Sequence, residues 1–142
     1  KSGIRNFVAT ACNRQRHAEQ HLDSSLLYAP LSKLSEDEMA LKEMVAKLAK
    51  DKIEPKVKEM DESSKMHREL IDELFKNGLM AVDVPEKYNG TGANFFSAVL
   101  VIEELAKVDP SISVLCDVQH TLVFPIFMRY GNEEQRQKYL PR

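Results

Sequence analysis

The segment from Asp109 to Gly131 constrains the fold most. Ile112, Val114, Leu115, Val118, Leu122, Val123, Ile126 and Phe127 make it nearly continuously apolar, with Asp117, Gln119 and His120 at its middle. Those polar residues leave the uninterrupted apolar run short of the roughly 20 residues a bilayer needs. The segment therefore reads as the central helix of a water-soluble bundle, not as a membrane span. Asp109 and Pro110 supply a cap and a first-turn proline, Gly131 closes the helix, and Pro125 is expected to kink it. Once buried, Asp117, Gln119 and His120 require polar partners.

Helical periodicity continues on both sides. Ser35 and Glu38 form a capping box, with Leu34 and Met39 placed to close a hydrophobic staple. Leu41, Met44, Val45, Leu48, Ala49 and Ile53 follow at three- and four-residue steps. Pro55 should end or bend that helix near Glu54, leaving a short helical turn through Met60. A second helix is written in Met66, Leu70, Ile71, Leu74 and Phe75, with Ser63 or Ser64 as cap and Gly78 as left-handed terminator. Leu79–Val84 and the turn-forming Tyr88-Asn89-Gly90-Thr91-Gly92 make a packed loop. Asn94 caps a third helix from Phe95 to Leu105 that should be mostly buried, and Asn132 to Gln135 begin a last short one. No alternating pattern long enough for a sheet occurs, so the fold class is all-α, an antiparallel helical bundle.

Residues 1–30 read as a basic leader and linker, and 31–142 as one helical domain. Lys1, Arg5, Arg14 and Arg16 precede the first acid, Glu19, while Ile4, Phe7, Val8 and Ala11 share a helical face. That is the character of a mitochondrial transit peptide, with an unstructured basic leader as the alternative. The chain opens on Lys1, which suits a piece of a longer product. A formal charge of -2 with interspersed signs gives no field to attract nucleic acid or an anionic membrane. Cys12 and Cys116 lack the density of a disulfide framework and the spacing of a zinc site, so they read as buried or incidental thiols in a reducing compartment.

Catalytic motifs are sparse. Gly90-Thr91-Gly92 leads into a helix, but position 95 is Phe where a dinucleotide fingerprint needs its third glycine; a turn is the better reading. Glu103 and Glu104 are adjacent on a helix, point about 100 degrees apart, and cannot share a substrate atom, so one should be solvated and the other buried against a partner. His120 has no nucleophile or ligand set beside it in sequence, which favours a structural role. From these residues alone, whether the chain is an enzyme stays open.

Several stretches together resemble one family in order and spacing. These are Tyr88-Asn89-Gly90-Thr91-Gly92, then Val101-Ile102-Glu103-Glu104-Leu105-Ala106-Lys107-Val108-Asp109, then Gly131-Asn132-Glu133-Glu134-Gln135 and Lys138-Tyr139-Leu140-Pro141. They resemble the N-terminal helical domain of flavin-dependent acyl-CoA dehydrogenases, over about Leu31 to Arg142. Met60 to Met66 and Val99 to Val108 look most like the short/branched-chain member.

The resemblance implies a parent enzyme with three domains, in which FAD lies between the last two and a Glu of the C-terminal half takes the α-proton while hydride passes to the flavin. It implies acyl-CoA as substrate, electron-transfer flavoprotein as partner, a homotetramer, and the mitochondrial matrix. Neither the flavin site nor the catalytic Glu is expected in this chain, which alone should bind no cofactor and be inactive. By position, the resemblance points to Ser113, Val114, Leu115 and Asp117 as substrate-binding residues at the end of the acyl pocket, with plain core packing as the alternative. Pro110 is not demanded by the family pattern. Two other readings are a non-enzymatic helical interaction module and an acyl-CoA oxidase-type relative.

Overall fold

A computed structural model describes residues 33–140; the leader and linker, residues 1–30, lie outside the described residues, as does Cys12. Helix α1 spans Glu36–Leu48 and opens on the expected capping box: the Ser35 hydroxyl accepts from the Glu38 amide at 3.2 Å, and the Glu38 carboxylate accepts from the Ser35 amide at 2.8 Å. Three acids in its first turn suit the positive end of the helix dipole. Met39 stays largely exposed, so it adds little to a staple.

Pro55 does not end the helical course. The chain passes through a π turn, Ala49–Ile53, and a 3-10 turn, Glu54–Lys56, into α2, Val57–Ser63. The Glu54 amide donates to Ala49 five residues back. A wider turn ahead of the proline accommodates a residue that lacks the amide hydrogen and crowds the preceding turn. Leu41, Val45, Ala49 and Ile53, each four residues from the next, are consequently all buried. In a regular helix of 3.6 residues per turn such a row drifts by about 40 degrees per step, and the π turn takes up part of that drift.

The next helix begins later than its apolar pattern suggests. Because α2 runs through Ser63, Ser64 adopts a left-handed conformation (φ 52) as its terminator and cannot cap the next helix. Helix α3 is Arg68–Lys76, entered from an extended His67 with no side-chain cap, and Met66 lies outside it. At its end Gly78 takes φ +75, as the left-handed terminator should.

Helix α4, Phe95–Ala106, is capped by Asn94, whose side chain accepts from the Ser97 amide at 2.8 Å. It packs between α1 and α5 and buries Ala98, Leu100, Val101 and Leu105, although Phe95 and Val99 remain exposed. Of its two carboxylates, Glu103 is exposed and Glu104 is buried between Lys42 at 3.3 Å and Lys107 at 2.6 Å, fastening α1 to α4. Asp109 then accepts from the amides of Ser111 and Ile112, and Pro110 opens α5, Pro110–Val118. The short connection makes α4 and α5 antiparallel neighbours.

The helical course continues through a second π turn, Gln119–Val123, into α6, Phe124–Tyr130, which Gly131 closes in extended conformation. Here too the π turn stands immediately before a proline: the Phe124 amide donates to Gln119, and Pro125 is the next residue. Helix α7, Glu133–Tyr139, repeats the capping box with Asn132 and Gln135. The main core gathers α1 to α5; a smaller cluster of Val84, Tyr88, Phe124 and Leu140 holds the loop to the last helices. Among the described residues there is no strand.

Candidate functional site

The helical stretch Pro110–Tyr130 presents two faces, each written at four-residue intervals. Ile112, Cys116, His120 and Phe124 are buried. Opposite them Val114 is 58% exposed, Leu122 57%, Ile126 57% and Tyr130 76%, with Val118 half-buried between. The stretch is thus not central in the sense its composition suggests: between Pro110 and Tyr130 only Ile112, Ser113, Cys116, His120 and Phe124 are buried. By length and composition the 21-residue helix would also suit a membrane, yet its buried face carries a partnered histidine and packs against α4. The π turn helps to keep the two rows on their faces, because its wider winding offsets part of the drift that four-residue steps build up in a regular helix. The apolar character of Val114, Leu122 and Ile126 is plain in the sequence, but their exposure is not; their four-residue spacing ahead of Pro125 is the signal that groups them on one face.

The four residues singled out in sequence divide between these faces. Val114 lies on the exposed stripe. Leu115 is half-buried against the main core, and Asp117 is half-buried at the edge of the stripe. Ser113 is turned inward, buried, and its hydroxyl donates to the Ile102 carbonyl at 2.8 Å, which holds α5 to α4. An open cleft of about 700 Å³ lies elsewhere, between α2 and the start of α5, lined by Met60, Lys65, Met66, Asp109 and Pro110 among others, and none of the four faces it.

The glycine loop is closed on itself. The amides of Gly90, Thr91, Gly92 and Ala93 donate to the carbonyls of Pro85, Ala81, Val84 and Val82 in turn. The Thr91 hydroxyl donates to the Val82 carbonyl at 2.5 Å. A Cβ at Gly90 would stand 2.0 Å from the Val84 oxygen, so the glycine is there for close backbone approach. With these amides spent internally, the loop does not fit a flavin or nucleotide phosphate, which would need them free. Among the described residues no group of three His, Cys, Asp or Glu side chains is placed to hold a metal ion.

Polar residues of the apolar helix have found partners unevenly. His120 reaches Asp83 Oδ1 at 2.6 Å through Nδ1 and the Leu79 carbonyl at 2.9 Å through Nε2. The Cys116 thiol donates to the same carbonyl at 3.3 Å. Burial pushes the histidine's pKa down, but the Asp83 hydrogen bond, the Cys116 sulfur and the Leu79 carbonyl outweigh it and raise it to about 10. Sequence alone points to His120 but offers no sign of Asp83, which lies 37 residues earlier. The Gln119 side-chain oxygen, within the π turn, is buried without a partner.

Residues 35–142 match the family model of the acyl-CoA dehydrogenase N-terminal domain. The chain is 50% identical over 114 residues to the mitochondrial short/branched chain specific acyl-CoA dehydrogenase of Bos taurus, covering 80% of this chain and 26% of that one. It is 44% identical over 140 residues to a probable enzyme of the same name from Dictyostelium discoideum, covering 99% of this chain and 30% of that one. The structure of butyryl-CoA dehydrogenase from Megasphaera elsdenii superposes with a TM-score of 0.71 at 28% identity, over 77% of this chain and 29% of that one. This chain therefore spans less than a third of each of these relatives.

Proposed function

Since this chain belongs to the acyl-CoA dehydrogenase family, matching its N-terminal domain, we propose that it serves as the helical domain of a mitochondrial matrix enzyme that oxidises short or branched acyl-CoA to 2-enoyl-CoA. The observation that carries the reading is the exposed apolar stripe of Pro110–Tyr130 on a chain 50% identical to a short/branched chain specific relative. Val114, Leu115 and Asp117 form the wall at the acyl end, and Ser113 holds that wall through its bond to Ile102. An apolar surface of this kind selects by shape, since one methylene changes transition-state binding by about 1–3 kcal/mol.

The redox chemistry belongs to the parent. FAD, bound by the parent's other domains, would accept the substrate hydride and pass electrons to electron-transfer flavoprotein; the parent assembles as a homotetramer. No proton or hydride transfer is assigned to a residue of this chain. The 31–142 domain follows a basic leader and linker, residues 1–30, of which residues 1–18 carry the import signal, and helix Pro110–Tyr130 acts in the bundle and does not span a membrane.

Two measurements test this. The isolated chain should purify colourless and leave acyl-CoA unoxidised; stoichiometric bound FAD would overturn the division of labour. Residues 35–142 should also replace the first domain of the bovine relative. The exchanged enzyme should retain FAD and oxidise a short 2-methyl-branched acyl-CoA, and a folded, flavin-loaded exchange enzyme with no turnover on any short acyl-CoA would refute the reading.

A further inference from the structure

Where Pro110–Tyr130 meets the segment after α3, the fold buries a titratable side chain that the proposed wall does not use. His120 is wholly buried, and each of its ring nitrogens faces an acceptor: Nε2 the Leu79 carbonyl at 2.9 Å, Nδ1 the Asp83 carboxylate at 2.6 Å. A carbonyl only accepts, so Nε2 carries a proton. The second proton lies between Nδ1 and Asp83 Oδ1. Asp83 is 21% exposed, so water helps to keep its carboxylate charged, and the two acceptors facing the ring offset the cost of burying an imidazolium.

The surroundings of the ring are otherwise thinly polar. Cys116, one turn earlier, gives its thiol to the same Leu79 carbonyl, and Phe124, one turn later, meets the imidazole edge-on with centroids 5.9 Å apart. Asp83 from the connecting segment and Cys116 from the helix itself are the titratable groups facing the ring. Cys116, His120 and Phe124 are successive members of the buried stripe, and His120 is the only one of them held by a charged partner from another element.

That placement has a geometric consequence. His120 stands in the π turn, where the helix is wound most widely. The exposed stripe of Val114, Leu122, Ile126 and Tyr130 lies across the axis from it. Holding the ring between Asp83 and Leu79 fixes the rotation of the stretch, and so fixes which side chains stand outward. We infer that His120 is a positioning residue: paired with Asp83, it sets the angle at which the Val114 to Asp117 wall is presented to the acyl group, without touching substrate. This rests on the acyl-wall reading above.

The test has two arms. In the 142-residue chain with nitrogen-15 histidine, His120 should show two protonated ring nitrogens through neutral pH; a neutral ring with a bare nitrogen at about pH 7 would overturn the charged pair. In the exchanged enzyme, His120→Asn and Asp83→Asn should each change the ratio of kcat/KM for a short branched acyl-CoA against a straight eight-carbon one by about tenfold, and the double variant should add little more. A merely structural role would lower stability and leave that ratio where it was, which would defeat the inference. Val114→Phe in the same enzyme separates the two failures. If it shifts the ratio and the pair variants do not, the positioning role fails alone; if it too leaves the ratio unchanged, the wall reading fails with it. Should His120→Asn not fold, Asp83→Asn keeps the shape of the site and still decides the matter.

Discussion

The Tyr88 hydroxyl donates to Glu133 Oε2 at 2.9 Å, joining the glycine loop to the first turn of α7 across 45 residues. The ring is wholly buried beside Val84, Phe124 and Leu140. Hydrogen bonds from Gln137 first, and from Tyr88, hold the Glu133 carboxyl below its ordinary range. Packing and hydrogen bonding are separable here. Tyr88→Phe keeps the packing and leaves an exposed carboxylate free to take water, so it should cost about 0.5–1.5 kcal/mol. Tyr88→Ala also opens a cavity and should cost about 3–5 kcal/mol. Chemical denaturation of both variants checks the order; equal losses would mean the ring contributes little.

Gly90 lies so close to Val84 that any Cβ collides with backbone, not with a flexible side-chain end. Gly90→Ala should therefore destabilise by about 1–3 kcal/mol, the range for forced overpacking, and should weaken amide-exchange protection at Thr91, Gly92 and Ala93 together. A stability change within experimental error would show that the loop is looser than its bonding implies.

His120 gives the fold a defined pH dependence. Its pKa is raised from 6.5 in the unfolded chain to about 10 in the folded one, so between those values the folded state binds more protons than the unfolded state. Stability then falls as pH rises: the contribution is full below about pH 6.5 and is lost through pH 10. Denaturation midpoints of the unsubstituted chain and of His120→Asn at about pH 6, 8 and 10 should converge as pH increases. A gap that stays constant or widens would contradict the protonated pair.

Local signals carried much of the fold. The capping box at Ser35, the Asp109-Pro110 start, the Asn94 and Asn132 caps and the Gly78 terminator depend on contacts within three or four residues, and each is legible as spacing. What escaped reading depends on longer-range or competing geometry. Ser64 is a good cap by composition, but the extension of α2 through Ser63 claims it as a terminator instead. Pro55 reads as an end or bend and Pro125 as a kink, and spacing does not show that a π turn carries the chain past each. Ser113, Val114, Leu115 and Asp117 are neighbours in sequence, and nothing local divides them between the exposed and buried faces they occupy. Ser113 could not be sorted from the other three, because the direction of its hydroxyl is set by the Ile102 carbonyl on a neighbouring helix, and Asp83 gives no local sign that it will meet His120.

The account turns on whether the exposed stripe is a pocket wall, and Val114 tests it most directly. In the exchanged enzyme, kcat/KM should be measured for a short branched and a straight eight-carbon acyl-CoA with Val114→Ala and Val114→Phe. Enlarging the space should favour the longer substrate by about tenfold, and filling it should disfavour the longer one by a similar factor, as a few methylenes of shape selection allow. If both variants keep the same ratio while retaining flavin and fold, Val114 faces something other than the acyl chain and the central claim is wrong.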